Sequence, residues 1–198
     1  MEKPAPADHP IQDLLARRWS PRVFADEAVP GKILVSLFEA ARWAPSAFNE
    51  QPWFFLLAAR EDRAAFERML ACLTPGNQAW AKGAPVLLLT AARLAFERNA
   101  KPNRHALHDL GLAAMSLVVE ATARGLMAHQ MAGIERETIA KTYDLPEGVE
   151  PVTALALGYP ADTIPEELRE REAAPRSRKA LEDFIFAEAW GKPASLLG

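Results

Sequence analysis

Apolar residues recur along this chain with helical and strand-like periods, and the switches between them lay out an alternation of helices and strands. Ile11, Leu14, Leu15 and Arg18 stand at helical spacing, and Ser20 with Pro21 stops that short helix near Arg18. Pro30 starts a second helix from its first turn, and Ile33, Leu34, Leu37, Phe38 and Ala41 give it an apolar stripe. Phe54 to Ala59 reads as a buried strand. The acidic pair Glu61 and Asp62 opens a helix with Phe66, Met69, Leu70 and Leu73 on one face. Thr74 to Asn77 reads as a turn and Gln78 to Lys82 as a brief helical piece. The unbroken apolar run from Pro85 to Thr90 reads as a strand covered on both faces. Arg93 to Arg104 is charged and aperiodic, a loop. His105 to Arg124 is the longest helix, with Gly125 where a C-cap glycine belongs. Leu126 to Met131 and Val152 to Leu157 read as strands on either side of a helix from Glu135 to Tyr143.

The two ends differ in character from this body. Residues 1–8 read as a disordered lead. Residues 161–198 form a C-terminal arm: a charged helix from Glu166 to Glu172, a basic knot from Arg176 to Lys179, then Leu181, Phe184, Ile185, Phe186 and Trp190 without an apolar partner of their own. Such a tail either folds back on its own domain or lies along a second subunit.

Between the second helix and the first strand, Pro45 and Pro52 bracket a polar loop and hold it by removing backbone donors and restricting the residues before them. Ser46, Asn49 and Gln51 there offer uncharged donors and acceptors, fit for their own backbone or for a planar, heteroatom-rich ligand.

Composition narrows the classes. At 198 residues with half of them apolar, one domain spanning 1–198 is expected, with two small ones as the alternative. A net charge of −3 with interspersed signs gives no case for nucleic acid or an anionic membrane. No apolar run reads as a membrane span and the N-terminus lacks a signal-peptide core. The single Cys72 excludes an intrachain disulfide framework, and the cytoplasm is the expected compartment.

Several chemistries drop out. There is no glycine-rich dinucleotide fingerprint, P-loop or nucleophile elbow. His105 and His108 lack further ligands for a metal, and Glu135 and Glu137 face different ways on a helix. What remains is a scattered donor set. Arg18, Ser20 and Arg22 lie early, Arg176 and Arg178 late, and Ser46, Asn49, Gln51 and Asn77 between. Paired arginines with a hydroxyl are what a phosphate monoester requires.

Two stretches carry a family resemblance. Arg18-Trp19-Ser20-Pro21-Arg22-Val23-Phe24 resembles the Arg-Arg-Ser-x-Arg-x-Phe element of the FMN-dependent nitroreductase family, and Ala44 to Trp53 resembles its Ala-Pro-Ser-x-x-Asn-x-Gln-Pro-Trp element. Asn77 with Ala84-Pro85-Val86, Asp109 to Ala113, Gly125-Leu126 with Met131 to Ile134, Gly158-Tyr159-Pro160 and a closing Arg176-x-Arg178-Lys179-x-Leu181-Glu182 follow in family order. The resemblance implies an α+β fold with a mixed central sheet flanked by helices. It also implies a homodimer with FMN at the subunit interface and a C-terminal segment wrapping the partner. By the same resemblance Arg18, Ser20, Arg176 and Arg178, with the backbone of Trp19, grip the phosphate. Arg22 and Asn77 meet the pyrimidine edge, Ala132 and Gly133 offer backbone N–H groups near N5 and O4, and Pro45, Ser46, Ala47 and Asn49 come from the other subunit.

The implied activity is that of an oxidoreductase: ping-pong hydride transfer from NADH or NADPH to nitroaromatics, quinones or similar small acceptors. A non-catalytic flavin-binding dimer and a specialised reaction such as reductive dehalogenation are the alternatives. No catalytic side chain and no metal is nominated; Arg22 is the candidate for stabilising negative charge on the reduced flavin. Trp19, Phe48, Trp80 and Ala132 depart from common family residues and leave acceptor preference open.

Overall fold

The computed structural model describes residues 2–197; Met1 of the lead and Gly198 of the arm lie outside the described residues. Four strands form its centre, β1 (Trp53–Ala59), β2 (Val86–Arg93), β3 (Met127–Met131) and β4 (Val149–Gly158), hydrogen-bonded in the order β1-β2-β4-β3. Every pairing is antiparallel, with Leu56 opposite Leu89, Leu88 opposite Leu155 and Ala128 opposite Leu157. The α+β class holds, but among the described residues the sheet is not mixed. Helical connections join each strand to the next, and such connectors are long enough to return the chain in either direction, so local pattern does not encode strand direction.

β2 is buried from Val86 to Ala92, as its unbroken apolar run requires. Its residues alternate between two cores. Val86 and Leu88 face α2 (Gly31–Arg42) and α5 (Ala106–Ala123), meeting Leu37, Ala41, Leu117 and Ala121. Leu87 and Leu89 face the opposite layer, built by α3 (Arg63–Leu70), α4 (Pro75–Ala81) and α6 (Arg136–Thr142) through Phe66, Met69, Trp80 and Ile139. The buried Thr90 places its hydroxyl 2.8 Å from that of Thr153 across the β2–β4 pair. β1 is not the buried strand its composition suggests: it is a sheet edge, and Phe54 and Leu57 are exposed.

Local chemistry explains the helix ends. Asp62 accepts the Ala65 N–H at 3.1 Å and starts α3. Pro30 stands just before α2 rather than inside its first turn. The expected turn at Thr74 to Asn77 is instead the start of α4, with Thr74 at the cap and Pro75 at the first helical position, where its missing N–H costs nothing. Gly125, with φ +77°, closes α5 in the left-handed region that glycine enters freely. α5 is long and apolar enough to cross a membrane by length and composition, yet half of it is buried against its own chain.

The lead and the arm meet each other. α1 (Asp13–Arg17) ends in a carbonyl, Ala16 O, that accepts both the Ala5 N–H at 2.8 Å and Arg176 Nη1 at 2.9 Å. Lys3 donates to the Glu172 carbonyl of α7 (Glu166–Ala173) at 2.6 Å. The lead has no regular element and makes hydrogen bonds at Lys3 and Ala5. Beyond Arg178 the arm makes a small turn of its own, with Phe186 paired to Pro193 and its ring 5.2 Å from that of Trp190, and leaves Phe184, Trp190 and Leu196 exposed.

Candidate functional site

After α1 the chain runs extended, so its side chains alternate: Trp19 and Pro21 turn inward, while Arg18, Ser20 and Arg22 share the outer, half-buried face. This segment lies beside the β3 edge, because His129 of β3 donates from Nδ1 to the Pro21 carbonyl at 2.9 Å and Phe24 pairs with Pro160. From the other end of the chain, α7 and the residues after it deliver Glu172, Arg176 and Arg178 to the same place. A cleft of about 300 Å³ results, lined by Arg18, Trp19, Ser20, Arg22, Glu172, Arg176 and Arg178.

Its electrostatics are those of an anion receptor. Burial, with repulsion from Arg176 and Arg178, pushes the Arg18 guanidinium below its ordinary pKa; burial and Arg178 do the same to Arg176. Among the described residues none of these three cations has a carboxylate within ion-pair distance. Arg18 Nη1 instead donates to Ser20 Oγ at 3.3 Å, Arg176 holds the Lys3 and Ala16 carbonyls, and Arg178 donates to the Ser177 carbonyl. Two buried polar atoms on the cleft have no hydrogen-bond partner, the Trp19 Nε1 donor and the Glu172 Oε1 acceptor. An oxygen-rich anion carrying hydroxyl groups would satisfy both the cations and these atoms.

Arg22 leads out of the cleft. Its N–H donates to Glu172 Oε2 at 3.2 Å, its guanidinium lies 3.7 Å from Glu172 Oε1, and it sits 6.0 Å above the Trp80 ring. Trp80 stacks at 4.5 Å on His129, whose burial, reinforced by Arg22, pushes its pKa down. Trp80 and Asn77 stand three residues apart on α4 and so share one face. Asn77 donates from Nδ2 to the Gly133 carbonyl at 3.0 Å, and Thr74 N–H and Oγ1 reach the same oxygen. A Cβ at Gly133 would lie 2.6 Å from Asn77 Nδ2 and from Thr74 Oγ1, so the close approach requires glycine. Ala132 beside it is exposed.

The loop of Pro45, Ser46, Ala47 and Asn49 lies elsewhere. It precedes β1, three strands across the sheet from β3, a separation of about 14 Å at ordinary strand spacing. Its Ala47 N–H donates to Asp109 Oδ2 at 3.0 Å, Ser46 Oγ accepts the Gln51 N–H at 3.0 Å, and Phe48, Asn49 and Gln51 all have positive φ. The first contact runs to α5 and the second stays within the loop; neither involves the arginines.

The structure thus gathers Arg18, Trp19, Ser20, Arg22, Arg176 and Arg178 into one cleft, joins Asn77, Ala132 and Gly133 to it through α4, and leaves the Pro45–Asn49 loop at the opposite edge. Two buried carboxylates escaped sequence reasoning. Glu172 hid in a run of charged residues whose other members are exposed or half-exposed, and Asp109 drew notice only as part of a family-matching stretch, with no sign that it is buried.

A model of the nitroreductase family matches residues 15–159, nearly three quarters of the chain. The chain belongs to the nitroreductase family. The chain also superposes with a TM-score of 0.87 on the crystal structure of an oxidoreductase containing FMN, with 35% identity, covering 94% of this chain and 96% of that one. It is 38% identical over 130 residues to a 15.4 kDa protein of Mycolicibacterium smegmatis, 65% of this chain and 86% of the relative. A protein of Methanothermobacter thermautotrophicus described provisionally as an NADH dehydrogenase/NAD(P)H nitroreductase is 27% identical over 157 residues, 77% of this chain and 78% of that one. The family match contains Arg18, Ser20, Arg22, the Pro45–Asn49 loop, Asn77 and Gly133 of this nitroreductase-family oxidoreductase, and stops before Arg176 and Arg178.

Proposed function

We propose that this nitroreductase-family chain is an FMN-dependent NAD(P)H oxidoreductase of the cytoplasm that acts as a homodimer on small acceptors such as nitroaromatics and quinones. The observation that carries the reading is the convergence of Arg18, Ser20, Arg176 and Arg178, from opposite ends of the chain, on one cleft where no carboxylate pairs with their guanidinium groups. Those residues suit the dianionic phosphate, with the Trp19 backbone alongside. Trp19 Nε1 and Glu172 Oε1, the latter held only by its 3.7 Å ion-pair contact with Arg22, suit ribityl hydroxyls, which both donate and accept. Arg22 and Asn77 would take the pyrimidine edge, and the backbone of Ala132 and Gly133 would lie near N5 and O4. Bound there, the flavin supplies hydride uptake from a reduced nicotinamide and hydride delivery to an acceptor at one face.

The chain's own part is binding and electrostatics. Arg22 holds positive charge where negative charge develops on reduction, and Glu172 fixes Arg22 through its main-chain N–H and its side chain. Protons come from solvent, and no side chain serves as acid or base. Pro45, Ser46, Ala47 and Asn49 would meet the flavin of a second copy, a reading supported by their place before the edge strand β1, on the other side of the sheet from β3.

The test is the visible spectrum. Arg18→Ala combined with Arg176→Ala gives colourless protein where the native chain purifies yellow. Retention of stoichiometric FMN by the double variant overturns the phosphate assignment. Anaerobic mixing of the yellow protein with NADH and with NADPH bleaches the flavin band; no bleaching with either makes the chain a binder and not an enzyme.

A further inference from the structure

One surface feature lies outside the arginine-lined cleft. Phe48 is three-quarters exposed and adopts φ +57° and ψ +22°, a left-handed conformation that a bulky residue enters at a cost. Its ring meets that of Phe96 edge-on, 5.8 Å between centroids at 76°. Arg98 lies over both, its guanidinium carbon 4.5 Å from the Phe48 centroid and 5.2 Å from that of Phe96.

The platform is built, not accidental to a loose loop. Asp109 holds the Ala47 N–H beneath Phe48, Ser46 holds the Gln51 N–H, and the Glu50 carboxylate accepts the Glu97 N–H at 2.6 Å, stitching the two loops together. The acids nearby are already engaged, Glu97 with Arg93 at 3.2 Å and Glu50 with that N–H. Among the described residues Arg98 has no ion-pair partner. The exposed Phe48 ring, on the side that Arg98 leaves open, together with the uncompensated guanidinium beside it matches a planar ring that carries a carboxylate or sulfonate.

We propose that Phe48, Phe96 and Arg98 form the acceptor subsite and select anionic aromatic acceptors. The inference rests on the reading above, in which the Pro45–Asn49 loop faces the flavin of a second copy. Phe48 supplies stacking area, Arg98 supplies the charge, and Phe96 holds both in place. Neutral aromatics of equal size gain the stacking and forgo the ion pair.

The holoprotein, without an electron donor, is titrated with para-nitrobenzoate and with its neutral isostere para-nitrobenzamide, and binding is followed by the shift of the flavin absorption band. The native protein binds the carboxylate about fivefold tighter, the upper end of what an ion pair to the exposed Arg98 supplies, and the preference shrinks with added salt. Arg98→Gln brings the two ligands to equal affinity while flavin content stays at the native level. Phe48→Leu weakens both ligands together, and Phe48→Tyr restores both. The ratio of kcat/KM for the two acceptors follows the same order. Equal affinities in the native protein, or a preference that survives Arg98→Gln, overturn the subsite while the yellow colour keeps the flavin reading intact. Colourless native protein removes the flavin reading and the subsite with it. Conversion of Phe48→Leu to a monomer makes the platform a subunit contact and overturns the inference.

Discussion

His129 couples the strand edge to the cleft. It donates from Nδ1 to the Pro21 carbonyl, stacks on Trp80 and faces Arg22 and Arg18, whose charges reinforce the burial that lowers its pKa. A histidine depressed in the fold takes up its proton more readily when unfolded. Its contribution to stability is therefore complete above the unfolded value of about 6.5 and declines as pH falls below it toward the folded pKa. Thermal unfolding followed from pH 7.5 to about 5.5 shows a falling midpoint, and His129→Gln flattens that slope. None of this was legible in the sequence, where His129 stands in a strand with no charged neighbour close by. Arg18, Ser20 and Arg22 were legible as candidate donors from residue type and family resemblance; that all three share one face is shown by the structure, where the chain after α1 alternates inward and outward. Glu172 was not: a carboxylate in the run Glu166 to Glu172 is set apart from the others only by which residue the helix turns toward Arg22.

At the scale of elements, the loop between α2 and β1 depends on one carboxylate from another helix. Asp109 is buried, and its Oδ2 holds the Ala47 N–H while Oδ1 lies 3.2 Å from His108 Nδ1. Three residues in that loop carry positive φ without being glycine, a conformation that persists only where the surroundings enforce it. Asp109→Ala removes the enforcement and lowers stability by about 1–3 kcal/mol, the usual cost of an unsatisfied buried donor. Amide hydrogen exchange over residues 46–51 rises while that of β2 does not. The helices themselves were readable from spacing, and their boundaries shifted by only a few residues. The start of α4 was misread as a turn because Thr-Pro-Gly-Asn carries the same residues that turns use, and only the continuation through Trp80 into the core decides for a helix.

At the scale of the whole molecule, the arm presents Phe184, Trp190 and Leu196 to solvent in a single chain, and the candidate site lacks the Pro45–Asn49 loop on its own sheet edge. Both facts fit a second copy. The full chain is expected to sediment at twice its 21.8 kDa mass, and deletion of residues 181–198 to weaken that association while leaving the strand–helix core with an unchanged far-ultraviolet spectrum. Sequence alone determined the alternation of helices and strands and the two-sided burial of β2, because each follows from periodicity, while Arg18, Ser20 and Arg22 were singled out by residue type and by their family resemblance. The antiparallel direction of every strand pair, the edge position of β1, and the meeting of residues near the N-terminus with Glu172, Arg176 and Arg178 were decided only by tertiary structure. Long helical connectors leave strand direction and order open, and residues far apart in the chain meet only where packing of the whole brings them.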